Sequence, residues 1–156
     1  IRKMSNFGFG KNRTVEEIGF NGKLQEINAA IGLWQLEYID YKIDKRHQIL
    51  KLYKKELSKR GFAFQENDNK SAVVFVSALA PSSDIAQELH AALEEEGIES
   101  NRYYNPPLHK HPAFSNVGVA YGLSTTEDIC NRIISLPNHS MVNERTVSKI
   151  ISKINL

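Results

Sequence analysis

The apolar residues of segment 24–60 recur at the spacing of an α-helix, and this pattern constrains the fold more than any other feature. An unbroken helix over this segment would be about 55 Å long, which is longer than a small domain is wide. We therefore predict a kink near Asp40, or a helix that spans two domains. Gly61 is predicted to end the helix, because glycine suits the left-handed cap.

Two strands are predicted after this helix. Residues 72–79 are apolar and rich in β-branched side chains, which is typical of a buried strand. Residues 98–104 are predicted to form a second strand. That strand must stop before Pro106, because proline cannot donate to the ladder of a sheet.

Three further helices are predicted from start signals and helical spacing. The first begins at residues 81–84 and ends at Gly97. The second begins at a capping box of Ser124 and Glu127, and the third begins near Asn143. Inward residues are predicted to be Ile129, Ile133 and Ile134 in the second helix and Val147, Ile150, Ile151 and Ile154 in the third. This order predicts an α+β (split α/β) fold, with a long helix leading into a small sheet that has helices packed on one face.

The composition is that of a globular chain with a modest core, with 41% hydrophobic and 24% charged residues among 156. Its longest apolar runs are far shorter than the roughly 20 residues that cross a bilayer, so we expect no membrane partner and a cytoplasmic location. The lone Cys130 excludes a disulfide within the chain and is expected to pack. No P-loop, nucleophile elbow or zinc-ligand spacing occurs, which excludes the enzyme classes that carry those motifs.

The charge is unevenly distributed, although the net charge is only +2. Residues 41–60 contain eight Lys or Arg and two acidic residues. Such a face could bind nucleic acid or another partner. The alternative is a solvated helix face, which we favour because no aromatic platform accompanies the charges, and we expect no nucleic-acid partner.

Two clusters of polar residues are candidates for a site. The glycine-flanked loop 19–23 can present amide donors to an anion. The second cluster, residues 101–114, contains Arg102, Tyr104 and His109, which could donate hydrogen bonds to a polar substrate. His109 and His111 are too few ligands for a closed metal site, so no metal is expected. The alternative is that both tyrosines of this cluster pack in the core and that its histidines are solvated.

The loop and the motifs that follow it resemble a known family. The pattern Gly-x-Asn-x-Lys at residues 19–23 is followed, in order, by Glu26, Ala29-Ala30, Gly32, Gln35-Leu36, Asp40, Glu95-Glu96-Gly97-Ile98, Tyr104-Asn105-Pro106-Pro107-Leu108-His109, His111-Pro112-Ala113-Phe114 and Arg132-Ile133-Ile134-Ser135-Leu136-Pro137-Asn138-His139. This series resembles the DegT/DnrJ/EryC1/StrS family of nucleotide-sugar aminotransferases. The opening residues 6–9 resemble the members that act on dTDP-linked 4-keto-6-deoxyhexoses.

The resemblance implies a pyridoxal phosphate enzyme of aminotransferase fold type I, with glutamate as the amino donor. The family's Schiff-base lysine is expected upstream of Ile1, because neither Lys3 nor Lys11 lies in its motif. The chain is thus expected to be the C-terminal part of the enzyme, to contain no catalytic residue and to be inactive alone. Residues 1–23 are expected to belong to the large cofactor domain, and residues 24–156 to form the linking helix and the small domain.

The resemblance also implies roles for particular residues. Asn21 is expected to reach the cofactor phosphate of the other subunit across a two-fold homodimer. Lys23 is expected near that phosphate or the substrate, or else in a salt bridge at the helix start. Arg102, Tyr104 and His109 are expected to bind the nucleotide-sugar substrate, while the segment that contains His139 is expected to pack.

Two other functions remain open from the sequence. The chain could be a non-catalytic module that binds a partner through the basic face of residues 41–60. It could also belong to a family member that has lost its lysine, as some sugar dehydratases have. The residues that precede Ile1 would separate these possibilities.

Overall fold

A computed structural model describes residues 1–66, 71–118 and 121–154 of the chain. These residues form two compact units, Ile1–Asp40 and Tyr41–Leu156. Among the described residues, no helix combines the length and the apolar character needed to cross a membrane.

The first unit begins with a loop in which two backbone segments lie close together. The backbone N–H of Phe20 donates to the carbonyl of Met4 at 2.8 Å, and Asn6 and Asn21 form an isolated antiparallel bridge. A Cβ at Gly8 would lie 1.7 Å from the carbonyl oxygen of Glu17, and Gly8 also has a φ of +74°. Glycine is therefore required at this close approach, because any side chain would collide with the backbone.

The long helical pattern forms two helices, α1 (Glu26–Glu37) and α2 (Ile39–Leu57). The helix breaks at Tyr38, which has a φ of −108° and a ψ of 7°, so the kink predicted near Asp40 is confirmed two residues away. A short 3-10 turn, Ser58–Arg60, follows α2 and ends at Gly61. Gly61 has a φ of +76°, which confirms the predicted left-handed cap.

The second unit contains a three-stranded antiparallel sheet with the order β1-β2-β3. Its strands are β1 (Ala63–Phe64), β2 (Val76–Leu79) and β3 (Ile133–Leu136). β2 is central, and Val76 pairs with Leu136. Alternate side chains of β2 are fully buried, at Val76 and Ala78. Only the second half of the strand predicted at residues 72–79 forms.

Three helices complete the second unit: α3 (Ser83–Glu95), α4 (Ser124–Arg132) and α5 (Glu144–Ile151). The Ser82 hydroxyl accepts a hydrogen bond from the N–H of Ile85, and the Asn143 side chain accepts one from the N–H of Thr146. The core residues with the largest fully buried side chains are Tyr53, Ile49, Leu57, Leu89, Leu93, Ile134, Leu136, Ile150 and Val76. The predicted α+β fold class is confirmed.

Two predicted elements are wrong. Residues 98–104 form no strand, because only Asn101 pairs with Ser135 before the chain turns and the N–H of Asn105 donates to the carbonyl of Arg102. Ile133 and Ile134 lie in β3 rather than in a helix, because their backbone pairs with β2.

The predicted capping box is also wrong. α4 begins at Ser124 itself, after Leu123, and no side chain caps it. The carboxylate of Glu127 instead accepts from His109 and Lys110.

Candidate functional site

The loop predicted to bind phosphate keeps its polar groups available. Asn21 is exposed, and its side chain has no hydrogen-bond partner within the described part of the chain. Its backbone is fixed by the bridge to Asn6 and by the N–H of Gly22, which donates to the carbonyl of Ser5 at 2.9 Å. The loop thus presents a free amide group on an ordered backbone.

Lys23 lies near an aromatic ring. Its ammonium group is 5.0 Å from the centroid of Phe7, within the distance of a cation–π contact. Among the described residues, Lys23 makes no salt bridge at the helix start. Its charge is therefore available to an anion, and the aromatic contact orients the side chain.

Arg102 connects the segment after α3 to α4. Its Nη2 donates to the carbonyl oxygen of Asn131, near the end of α4. Its Nε is buried and has no partner in the described ranges. Arg102 therefore orders this segment, and Nη1 is left for another acceptor.

The two tyrosines next to Arg102 are not buried in the core, although one interpretation of the sequence placed both of them there. Tyr104 is 74% exposed. Tyr103 is 39% exposed and makes an edge-on contact with Phe75, at 5.2 Å between ring centroids. That alternative is wrong for both residues.

His109 is held by a carboxylate. Its Nε2 lies 3.0 Å from Oε1 of Glu127, and Nζ of Lys110 lies 3.2 Å from the same oxygen. The hydrogen bond from His109, and then that from Lys110, lower the pKa of Glu127. His111 makes a different contact, since its Nε2 donates to the carbonyl of Pro106 at 3.1 Å.

The predicted substrate residues lie on two different grooves. Arg102 and Tyr104 line one groove together with His90 and His111. His109 lines another, which is mostly apolar. His90 lines the groove of Arg102 although no sequence motif indicated it, and Glu127, which was predicted to cap α4, contacts His109 instead. No group of three or more potential metal ligands occurs within residues 1–66, 71–118 and 121–154.

Some basic residues of α2 and of the 3-10 turn after it form hydrogen bonds or salt bridges within the chain. Nη1 of Arg60 donates at 3.2 Å to the carbonyl of Ile151, the last residue of α5, and at 2.9 Å to that of Ile154, which follows the helix. Lys59 pairs with Glu56. These contacts give part of the basic segment a structural role.

The segment after β3 is anchored by Asn138 rather than by His139. Asn138 is buried, and its Nδ2 donates to the carbonyl of Val73 at 3.0 Å. His139 is exposed, and its Nδ1 accepts from the N–H of Met141. Packing therefore explains the segment, but not the histidine itself.

The solved structures that this chain resembles are aminotransferases of fold type I. A solved DegT DnrJ EryC1 StrS aminotransferase from Brucella abortus superposes with a TM-score of 0.80 and 31% identity, over 98% of this chain and 41% of that one. The sequence model of the DegT/DnrJ/EryC1/StrS aminotransferase family matches residues 1–155, and the chain belongs to this family. The predicted cofactor, pyridoxal phosphate, is confirmed as that of the family.

Curated relatives cover nearly the whole chain. Protein Rv3402c of Mycobacterium tuberculosis is 37% identical over 155 residues, which are 97% of this chain and 38% of that protein. A dTDP-4-amino-4,6-dideoxy-D-glucose transaminase of Escherichia coli is 32% identical over 96% of this chain and 42% of its own length. The chain thus spans about two fifths of the length of these relatives.

Proposed function

We propose that this chain forms the C-terminal part of a pyridoxal phosphate-dependent aminotransferase that acts on a nucleotide-linked keto-deoxysugar. The amino donor is glutamate, and the acceptor is a dTDP-4-keto-6-deoxyhexose. The observation that carries the proposal is the 32% identity to a dTDP-4-amino-4,6-dideoxy-D-glucose transaminase over 96% of the chain. In this proposal residues 1–23 belong to the cofactor domain, residues 24–156 form the linking helix and small domain, and the catalytic lysine lies outside the chain.

The chemistry of the loop fits the phosphate of this cofactor. A phosphate dianion requires donors, and Asn21 offers an unpaired amide while Lys23 offers an ammonium group. Both residues follow the close approach of Gly8 and Gly19, and both are exposed. We assign them to the cofactor phosphate bound by the second subunit of a homodimer.

The residues of the small domain bind and orient the substrate in this proposal. The cofactor, when bound, supplies an electron sink for transfer of the amino group. Arg102 directs Nη1 toward an oxygen of the nucleotide diphosphate, while Nη2 remains on Asn131. Tyr104, which is largely exposed, donates its hydroxyl to the sugar or the nucleotide. His109 contacts the substrate from its own groove.

The test uses the purified holoenzyme that contains this chain, incubated with glutamate and a dTDP-4-keto-6-deoxyhexose. We expect 2-oxoglutarate and the amino sugar to form in equal amounts, as measured by coupled absorbance and mass spectrometry. Loss of a hydroxyl group without gain of nitrogen would identify a dehydratase instead. Absence of any reaction with keto sugars on a cofactor-loaded enzyme would overturn the proposal.

A further inference from the structure

The contact between His109 and Glu127 joins two segments that are distant in sequence. His109 lies in a short 3-10 turn, Leu108–Lys110, and Glu127 lies in the first turn of α4. One carboxylate oxygen of Glu127 lies 3.0 Å from Nε2 of His109 and 3.2 Å from Nζ of Lys110. The carboxylate thus fixes the turn at two points.

The chemistry of this contact determines which nitrogen of His109 carries the proton. A carboxylate only accepts hydrogen bonds, so Nε2 must donate to Glu127. In the neutral ring, Nδ1 is then an acceptor. Nδ1 has no partner among the described residues.

The groove that His109 lines is mostly apolar. The side chain of His109 is 18% exposed, and it lines a groove with apolar neighbours that include Leu108, Phe114 and Leu123. An unpaired acceptor in a mostly apolar groove selects a ligand by its hydrogen-bond donor, because leaving such a polar group unpaired is costly.

The neighbouring carboxylate on α4 behaves differently. Asp128 pairs with Arg132 one turn along the same helix, as is common on helix surfaces. Arg132 also donates to the carbonyl of Ala80. The partners of Glu127 lie instead in the 3-10 turn. Its contacts therefore hold in place the 3-10 turn that contains His109.

We propose that Glu127 is a positioning residue, which holds His109 with its proton on Nε2 and so presents Nδ1 as the acceptor for a hydroxyl group of the nucleotide-sugar substrate. The inference rests on the proposed function and adds a specific partner to His109. Glu127 itself does not contact the substrate. Its effect on the reaction passes through the orientation and the proton position of the histidine.

The test compares Glu127→Ala and Glu127→Gln in the holoenzyme that contains this chain. We expect Glu127→Ala to raise KM for the nucleotide sugar by about tenfold, as the loss of one oriented hydrogen bond does. KM for glutamate is expected to remain unchanged. Glu127→Gln keeps an oxygen acceptor for Nε2 and is expected to restore most of the substrate affinity. Asp128→Asn is the matched control, because it changes a carboxylate of the same helix that does not contact His109.

A double variant shows whether Glu127 acts through His109. His109→Ala with Glu127→Ala is expected to be no worse than His109→Ala alone, because the two residues act as one unit. Additive losses, or an equal rise in KM for glutamate accompanied by a lower Tm, would overturn the inference. If the wild-type enzyme aminates no nucleotide sugar, the proposed function fails together with this inference. An active wild type with an unaffected Glu127→Ala variant refutes only the role of Glu127.

Discussion

The helices α1 and α5 are both rich in apolar residues, yet their environments are opposite. In α5 the side chains of Val147, Ile150 and Ile151 are buried. In α1 no residue is buried, and Ile27 and Trp34 are 73% and 54% exposed. The spacing of the apolar residues thus predicts a helix in both places, but it does not tell whether the same chain covers that helix.

The two units differ in the same way. All the buried hydrophobic residues lie within the described part of Tyr41–Leu156. The loop of Ile1–Asp40 is ordered by backbone hydrogen bonds and by the close approach of Gly8 and Gly19. The second unit therefore has a hydrophobic core, whereas the first unit has an ordered backbone and exposed apolar side chains. This difference can be tested by matched substitutions.

The largest effect is expected from Leu93→Ala, because Leu93 of α3 is fully buried in the core. Removal of such a side chain is expected to lower the free energy of unfolding by about 3 kcal/mol. Leu33→Ala in α1 is the control, since Leu33 is 67% exposed. Its effect is expected to be below about 0.5 kcal/mol in urea unfolding of the chain. Equal losses for the two variants would mean that α1 is packed as tightly as α3.

The second prediction is a change that weakens cofactor binding but leaves the stability of the fold unchanged. In the enzyme that contains this chain, Asn21→Ala is expected to weaken cofactor retention by about tenfold, because it removes a donor to a charged phosphate. The control is Asn28→Ala, an exposed amide on α1. The dissociation of pyridoxal phosphate can be followed by absorbance during dialysis, with Tm measured in parallel. If Tm falls in proportion to cofactor affinity, Asn21 has a structural role instead.

The elements that were predictable from the sequence carry their own local signals. Helix α5 has the cap residue Asn143, and the predicted inward residues Val147, Ile150 and Ile151 are buried in it, whereas Ile154 is buried after the helix has ended. The strand β3 had no such signal, because a run such as Ile133–Leu136 suits a helix or a strand equally well. Its pairing with β2 decides the outcome, and this partner lies more than fifty residues away.

In the candidate site, too, the residues with a local sequence signal were predictable and those that depend on a distant partner were not. Asn21 and Lys23 could be proposed from the sequence because glycines mark their loop. The partner of His109 could not, since Glu127 is 18 residues away and already matched the local pattern of a capping box. The polar cluster 101–114 and the family resemblance indicated the histidine, and only the fold identified the carboxylate that contacts it.

A third prediction compares two basic residues of segment 41–60. Arg60 is hydrogen-bonded within the chain, whereas Lys51 is exposed to solvent. Arg60 donates to two carbonyls near the end of α5, where a positive charge is favourable. Arg60→Met is expected to lower the free energy of unfolding by about 1 kcal/mol. Lys51→Met, an exposed position on α2, is expected to change it by less than about 0.3 kcal/mol. A loss at Lys51 that equals the loss at Arg60 would contradict this assignment.

The smallest effect depends on pH and concerns Glu96, the residue after α3, with its partners Lys149 in α5 and Lys153 after it. Lys153 and Lys149 donate to the carboxylate of Glu96 and lower its pKa from 4.5 to about 2. Because the pKa is lower in the folded state, the stabilisation is fully present above pH 4.5 and is lost as the pH falls toward 2. The difference in urea midpoint between wild type and Glu96→Gln should therefore shrink over this interval. Glu95→Gln, which removes an exposed carboxylate without an ion pair among the described residues, should show no such trend. A constant difference down to pH 2 would mean that the two lysines do not stabilise the ionised carboxylate.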